Sequence, residues 1–365
     1  MKIRIYATLV FLSGLLGVSA QDIHFSQFYG VPVNLNPALT GRFDGFWRAS
    51  AIYREQWFGM GQFQGPRVFP FYRTIGVNAD FNLLRDRLDN MGLGAGLDFN
   101  VDQSNNSKIS SYTINAALAY QAEFGSRKQF QIGVGLKGGI SFKTLKNDFK
   151  FASGYTYDFA SQSYVYQPGN ASELFSTDNR ILGNFAGGVY FNYEFLKGMS
   201  VNVGYSLNNA IQPKENFLEG SVNADNTRLP MRHVVHGGFQ FDVKRFTIQP
   251  GFQYQNQAKA MEAIFGVNAG YHINPDPAKK ATFFLGCWYR YNDAVIPKAA
   301  FEWKGFRIGA AYDIGVSQLA KDVRSARDGS PGIQGNSPMA FEINVVYIGK
   351  LVIPKENNYL FNPRF

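Results

Sequence analysis

The sequence predicts an all-β protein, a transmembrane antiparallel up-and-down β-barrel of about 14 strands preceded by a short N-terminal periplasmic or plug segment. Three observations predict it. Apolar and polar residues alternate with period two along run after run of the chain. Charged residues make up only 17% of the sequence and aromatics 16%, against roughly 25% charged in soluble domains. A leader-like N-terminus is followed by no stretch apolar enough for a spanning helix of ~20 residues. If the mature chain enters a membrane, its backbone bonds must therefore close in a barrel.

Residues 1–20 read as a signal peptide. Lys2 and Arg4 form the charged start, Ile5 to Val18 is mostly apolar, and Val18-Ser19-Ala20 offers small residues at the cut. No Cys stands at the cut, which argues against a lipid-modified N-terminus. Residues 21–44 come next. Asn34-Leu35-Asn36-Pro37-Ala38-Leu39-Thr40-Gly41 reads as turns rather than strand, and the segment is placed in the periplasm or as a plug entering the barrel from below. The barrel is assigned to 45–348 and a C-terminal periplasmic tail to 349–365.

Alternation is plainest at 112–124. Tyr112, Ile114, Ala116, Leu118, Tyr120, Ala122 and Phe124 share one face, and Thr113, Asn115, Ala117, Ala119 and Gln121 the other. After the short polar turn 125–128, residues 130–142 repeat the pattern. Further hairpins span 185–208, 232–255 around Lys244-Arg245, and 301–312 around Lys304-Gly305. The expected strands are 45–56, 69–80, 91–101, 109–124, 129–142, 181–195, 199–209, 232–243, 246–256, 260–273, 282–292, 295–303, 306–316 and 339–348. With the N-terminus in the periplasm, the three longest connections, 143–180, 210–231 and 317–338, all fall on the outer side, as barrels require. The apolar set would face lipid and the polar set the lumen. Arg48, Arg54, Arg290, Lys298, Glu302, Asp313 and Glu342 all fall on lumen parity. A soluble β-sandwich also alternates, but rarely needs one face so rich in Phe and Tyr on nearly every strand.

Several patterns bear on chemistry. The net charge of +9 is scattered, with no basic run and no recognition motif, so no nucleic-acid partner is expected. The single Cys287 excludes an intrachain disulfide and a cysteine metal site. Gly133-Val134-Gly135-Leu136-Lys137-Gly138 matches GxGxxG but lies inside a strand pattern and opens no helix, so small lumen-facing residues are the better reading. Among His24, His233, His236 and His272, the pair 233/236 sits three apart on a strand and points to opposite faces; both are read as surface or interface residues. Asp98, Asn100 and Asp102 share one strand face, either a solvated rim or an oxygen ladder for a hard cation. No GxSxG, SxxK or HExxH is present, so no enzyme, cofactor or metal is assigned.

Two surfaces remain as candidates for partners. The inner-side turns are basic: Arg85, Arg87, Arg127, Lys128, Lys197, Lys244, Arg245, Lys279, Lys280 and Lys304. They suit either the phosphates of outer-membrane lipid or a periplasmic partner. The loop 143–180 is rich in aromatics, with Phe149, Phe151, Tyr155, Tyr157, Phe159, Tyr164, Tyr166 and Phe175, which favours protein contact or folding into the barrel mouth.

At these residues the chain resembles the PorP/SprF family of type IX secretion membrane proteins. The opening Gln21-Asp22-Ile23-His24-Phe25-Ser26-Gln27-Phe28, then Asn36-Pro37-Ala38-Leu39-Thr40-Gly41 and Tyr53-Arg54-Glu55-Gln56-Trp57, carries the likeness. So do Tyr289-Arg290, Asp293-Ala294-Val295-Ile296-Pro297, Ile308-Gly309-Ala310-Ala311-Tyr312-Asp313, Phe341-Glu342-Ile343 and the tail Pro363-Arg364-Phe365. The family pattern often has Cys before that last Pro, where this chain has Asn362. The resemblance implies an outer-membrane component of type IX secretion and, in some members, gliding motility. It implies as partners a secreted adhesin with a C-terminal sorting domain and a periplasmic secretion ring or peptidoglycan-associated lipoprotein. A transport channel with an N-terminal hatch, similar to fourteen-stranded fatty-acid-type transporters, is the main rival, and a membrane-embedded lipid-modifying enzyme a third option.

Overall fold

The computed structural model describes residues 23–57, 72–83, 90–104, 109–146, 155–159, 162–167, 179–215, 228–274, 281–318, 320–321 and 339–349. The signal peptide 1–20, the basic residues Arg85, Arg87, Lys279 and Lys280, the aromatics Phe149, Phe151 and Phe175, and the tail from 350 onward lie outside them.

Among the described residues, sixteen strands form: β1 (Trp47–Gln56), β2 (Tyr72–Asn82), β3 (Met91–Ser104), β4 (Ile109–Phe124), β5 (Phe130–Leu145), β6 (Tyr155–Asp158), β7 (Ser163–Tyr166), β8 (Asn179–Leu196), β9 (Met199–Asn208), β10 (Arg232–Val243), β11 (Phe246–Gln257), β12 (Ala260–Asn274), β13 (Ala281–Arg290), β14 (Ala294–Trp303), β15 (Phe306–Gly315) and β16 (Met339–Gly349). All but β6 and β7 join in one closed up-and-down barrel of fourteen strands. Closure is complete: β1 pairs β16 from Trp47↔Gly349 to Gln56↔Ala340. β6 and β7 form a separate two-stranded hairpin within the β5–β8 connection, which the alternation pattern did not reveal.

Local chemistry explains the register. Most two-residue turns at one rim place a basic residue in the left-handed region, Lys244 (φ 54°) before Arg245 and Lys304 (φ 48°) before Gly305, the geometry that matches strand twist in a tight hairpin. β4 and β5 then pair over their whole length, setting Leu118 opposite Leu136. Both side chains are about 60% exposed and face outward, whereas Ala117, Ala119 and Lys137 on the other parity are buried. Outward aromatics gather at both rims. Trp47–Tyr347 (5.0 Å), Phe306–Tyr347 (4.3 Å) and Phe130–Tyr193 (4.5 Å) ring the short-turn rim. Tyr53–Phe341 (5.7 Å) and Phe265–Tyr289 (5.6 Å) lie toward the long-loop rim. An apolar band between two aromatic girdles is the signature of a lipid-embedded barrel.

The core sits inside the barrel. Residues Ile23–Phe46 run down the lumen from its long-loop half to the short-turn rim as short turns: Phe28–Gly30, Pro32–Leu35 and Pro37–Leu39. Phe28, Tyr29, Leu35, Ala38 and Leu39 pack on wall residues Tyr190, Val234, Ile264, Trp288 and Ile296. The segment therefore runs lengthwise through the lumen, from the long-loop half at Ile23 to the short-turn rim at Phe46.

Candidate functional site: the packed lumen

The wall meets the N-terminal segment side chain to backbone. Between Phe25 and Arg42 the segment's own backbone–backbone bonds stay within the segment, among the described residues. Five further carbonyls find wall donors: Ser26 O takes Lys298 Nζ (2.6 Å), Gly30 O takes Asn344 Nδ2 (3.2 Å), Val33 O takes Lys137 Nζ (3.3 Å), Leu35 O takes Ser206 Oγ (2.8 Å) and Thr40 O takes Gln121 Nε2 (2.9 Å). A buried backbone group without a partner would cost about 1–3 kcal/mol, so these donors make the packing possible.

The densest contact surrounds Ser26, buried in the long-loop half. Glu342 accepts two consecutive backbone N–H groups, Ser26 to Oε1 (2.6 Å) and Gln27 to Oε2 (2.8 Å). The Ser26 hydroxyl donates to Asp313 (2.9 Å) and accepts from Arg54 Nη1 (2.9 Å) and Arg290 Nη2 (2.6 Å). The wall groups are also paired among themselves: Arg54 with Asp313 (3.2 Å) and Glu342 (2.5 Å), Arg290 with Asp313 (2.9 Å) and Glu262 (3.2 Å). Deeper down, Arg48 holds Asp80 through two bonds (2.9 and 2.7 Å), and Asp80 also accepts Gly41 N (2.7 Å). Glu302, nearer the short-turn rim and half-buried, pairs with Arg307 (2.7 Å). The structure thus gathers Arg54, Arg290, Lys298, Asp313 and Glu342 at one point, while Arg48 and Glu302 serve separate pairs. Ser26, Asp80 and Glu262 complete these networks and were not singled out from sequence, although the parity of β2 and β12 puts Asp80 and Glu262 on the lumen face.

His236 corrects the sequence reading. Only His233 lies on the outer face, beside Tyr205 (2.8 Å). His236 is fully buried and bonds Asn36 Nδ2 through Nε2 (3.0 Å), under Tyr29 and Tyr190. The alternation rule assigns a face but does not say that the lumen is filled. Burial, with a smaller effect of neighbouring Tyr190, raises the Tyr29 hydroxyl well above the usual tyrosine pKa, so it stays a neutral donor. The cation ladder at Asp98 is also not what the side chains make. Asp98 accepts Asn78 (2.6 Å), Asn100 (2.9 Å) and Asn115 (3.0 Å) amides and lies 3.7 Å from Lys137, so its oxygens are already neutralised. Asp98, Asn100, Asn115 and Lys137 help line a cavity of about 130 Å³, which Ile23 and Asn34 of the segment also line.

The GxGxxG run on β5 has a steric reason. Gly135 faces the Pro37–Ala38 turn so closely that a Cβ would overlap the Pro37 backbone, and Gly94 on β3 likewise makes room for the Thr40 carbonyl. On the loop side, Tyr155 pairs with Tyr166 and Tyr157 with Tyr164 across the β6–β7 hairpin. Tyr157 touches Phe159 (5.1 Å) and Tyr164 (5.3 Å), and Tyr164 is 71% exposed. Lys244 and Arg245 stand on the β10–β11 turn at the other rim, exposed.

A closed barrel with a greasy belt, aromatic girdles and a polar interior defines an integral outer-membrane protein. Its sequence matches the family model described as "Type IX secretion system membrane protein PorP/SprF" over residues 17–330, and the chain belongs to that family. A search of curated proteins returns no match. Among solved structures it is similar to the Ralstonia pickettii toluene transporter TbuX (13% identity, 86% of this chain and 92% of that chain, TM-score 0.48). It is also similar to a Pseudomonas aeruginosa FadL homologue (11%, 86% and 92%, 0.47) and to the Pseudomonas putida toluene transporter TodX (9%, 90% and 94%, 0.46).

Proposed function

We propose that this type IX secretion component acts as a plugged docking barrel serving secretion or gliding motility. Its long-loop rim holds a secreted adhesin bearing a C-terminal sorting domain, and its short-turn rim contacts the periplasmic ring or a peptidoglycan-associated lipoprotein. The observation that carries the reading is the lumen: residues Phe25–Phe43 are almost wholly buried, and wall side chains bond several of their backbone groups. A rigid, filled cylinder suits positioning better than passage. Adhesin contact is assigned to Tyr155, Tyr157, Tyr164 and Tyr166, whose rings offer large contact area at little entropic cost. Periplasmic contact is assigned to Lys244, Arg245, Lys279 and Lys280. Binding is non-covalent and no catalytic step is involved.

Two measurements test it. The intact protein in planar bilayers should show no steady conductance; sustained ion flow would favour a channel with a hatch instead. Affinity purification from the native envelope should recover an adhesin and a periplasmic lipoprotein. Replacing Tyr155, Tyr157 and Tyr164 by Ser should lose the first alone, and Lys244→Glu with Arg245→Glu the second alone. An unchanged partner set after both changes would overturn the site assignments.

A further inference from the structure

We infer that the barrel wall is a preformed receptor for a turn-rich, serine-bearing peptide, and that residues 23–43 are its resident and displaceable occupant. Three observations converge on this. The ring of strands closes through its own ladder without help from the segment, since β1 pairs β16 over its whole length. The segment adds no strand to that ladder; from Phe25 to Arg42 it is held by wall side chains, as a ligand is. Most of the binding groups are already ordered without it: Arg54, Arg290, Asp313, Glu342 and Glu262 are linked in one ion-pair network, so each of these five keeps a charged partner when the segment leaves, whereas Lys298 gives up its bond to Ser26 O.

The chemistry read by this site is specific. A carboxylate facing two successive N–H groups recognises a turn whose adjacent N–H groups point the same way, and it excludes proline at either position. The pocket formed by Asp313, Arg54 and Arg290 takes a hydroxyl that both donates and accepts, which Ala cannot do. Lys298 then fixes the carbonyl of the same residue (2.6 Å). Further along, Gly135 and Gly94 leave grooves that only a close-lying turn fills. In the native chain the occupant is tethered at Trp47, which gives it an effective concentration on the order of mM. A free competitor must overcome that advantage, and severing the tether abolishes it.

The test uses the full processed chain with a protease recognition sequence inserted between Asp44 and Gly45, at the short-turn rim. The folded barrel is cleaved in detergent and mixed with a fluorescent synthetic peptide of residues 21–43. The labelled peptide should enter to one copy per barrel as the original segment leaves, with the barrel still migrating as the compact form in unheated gels. A peptide carrying Ser26→Ala should compete at least about tenfold less well, and one carrying Gln27→Pro less well again. Retention of the original segment with no uptake over days would overturn the inference. So would loss of the compact form as the segment departs, or equal uptake of a scrambled peptide.

Discussion

A charge in the lumen is tolerable only with a partner, and Arg48 illustrates what that partner is worth. Its guanidinium and the Asp80 carboxylate are both almost fully buried and joined by two bonds. Truncating either residue strands the other, a loss of about 3–5 kcal/mol in comparable buried pairs. Arg48→Ala and Asp80→Ala should each lower the stability of the folded barrel by that order, whereas the double variant should cost clearly less than their sum, with a coupling of about 2 kcal/mol. Urea unfolding in detergent, followed by tryptophan fluorescence, gives the four values needed. Additive losses would show that the pair is not a unit. At this scale parity rules make half of the network legible. They put Arg48, Arg54, Arg290, Asp313 and Glu342 on the lumen side, but parity carries no depth or azimuth, so it leaves unstated that Ser26 joins four of them. Ser26 lies in an irregular stretch with no period to read, and a small hydroxyl residue in a turn-rich segment carries no signal of its own.

The elements divide the same way. Strand spans were legible because each strand has one face in lipid and the other on a polar interior, which imposes the period-two pattern along its length. The β6–β7 hairpin was not, because its strands are only four residues long and residues 155–158 and 163–165 are exposed or half-buried, so the two-residue spacing of its tyrosines is too short a run to read as strand. The N-terminal segment was legible as non-strand from Asn36-Pro37 and Gly41, yet its path was not. That path is written instead into the glycines of the wall. Gly135→Val on β5 should push the Pro37–Ala38 turn off the wall and open an ion path, seen as new conductance in planar bilayers. Gly138→Ala on the same strand has only ordinary contacts around the new Cβ, near 3.8 Å, and should behave as the unaltered protein. A Gly135→Val barrel as closed as its parent would mean that the segment seals the lumen through other contacts.

For the whole molecule the decisive asymmetry is between its rims. One carries hairpin turns such as Lys244-Arg245 and Lys304-Gly305; the other carries the 146–178, 209–231 and 316–338 connections. Barrels inserted from the periplasm leave short turns behind and push long loops across the membrane, so the β6–β7 hairpin and the Ala258-Lys259 turn should face outward and the Arg127-Lys128 turn inward. The basic side chains of the inner rim then lie within a Debye length, about 8 Å at physiological salt, of lipid phosphates. Cysteine labelling decides the orientation cleanly because the chain has one native cysteine, Cys287, exposed on the outward face of β13. After Cys287→Ser, a Lys259→Cys variant should react in intact cells with a membrane-impermeant maleimide, and Arg127→Cys only after the outer membrane is permeabilised. The reverse pattern would place the aromatic hairpin in the periplasm and exchange the partners assigned to the two rims, while leaving the packed lumen and its latch at Ser26 untouched.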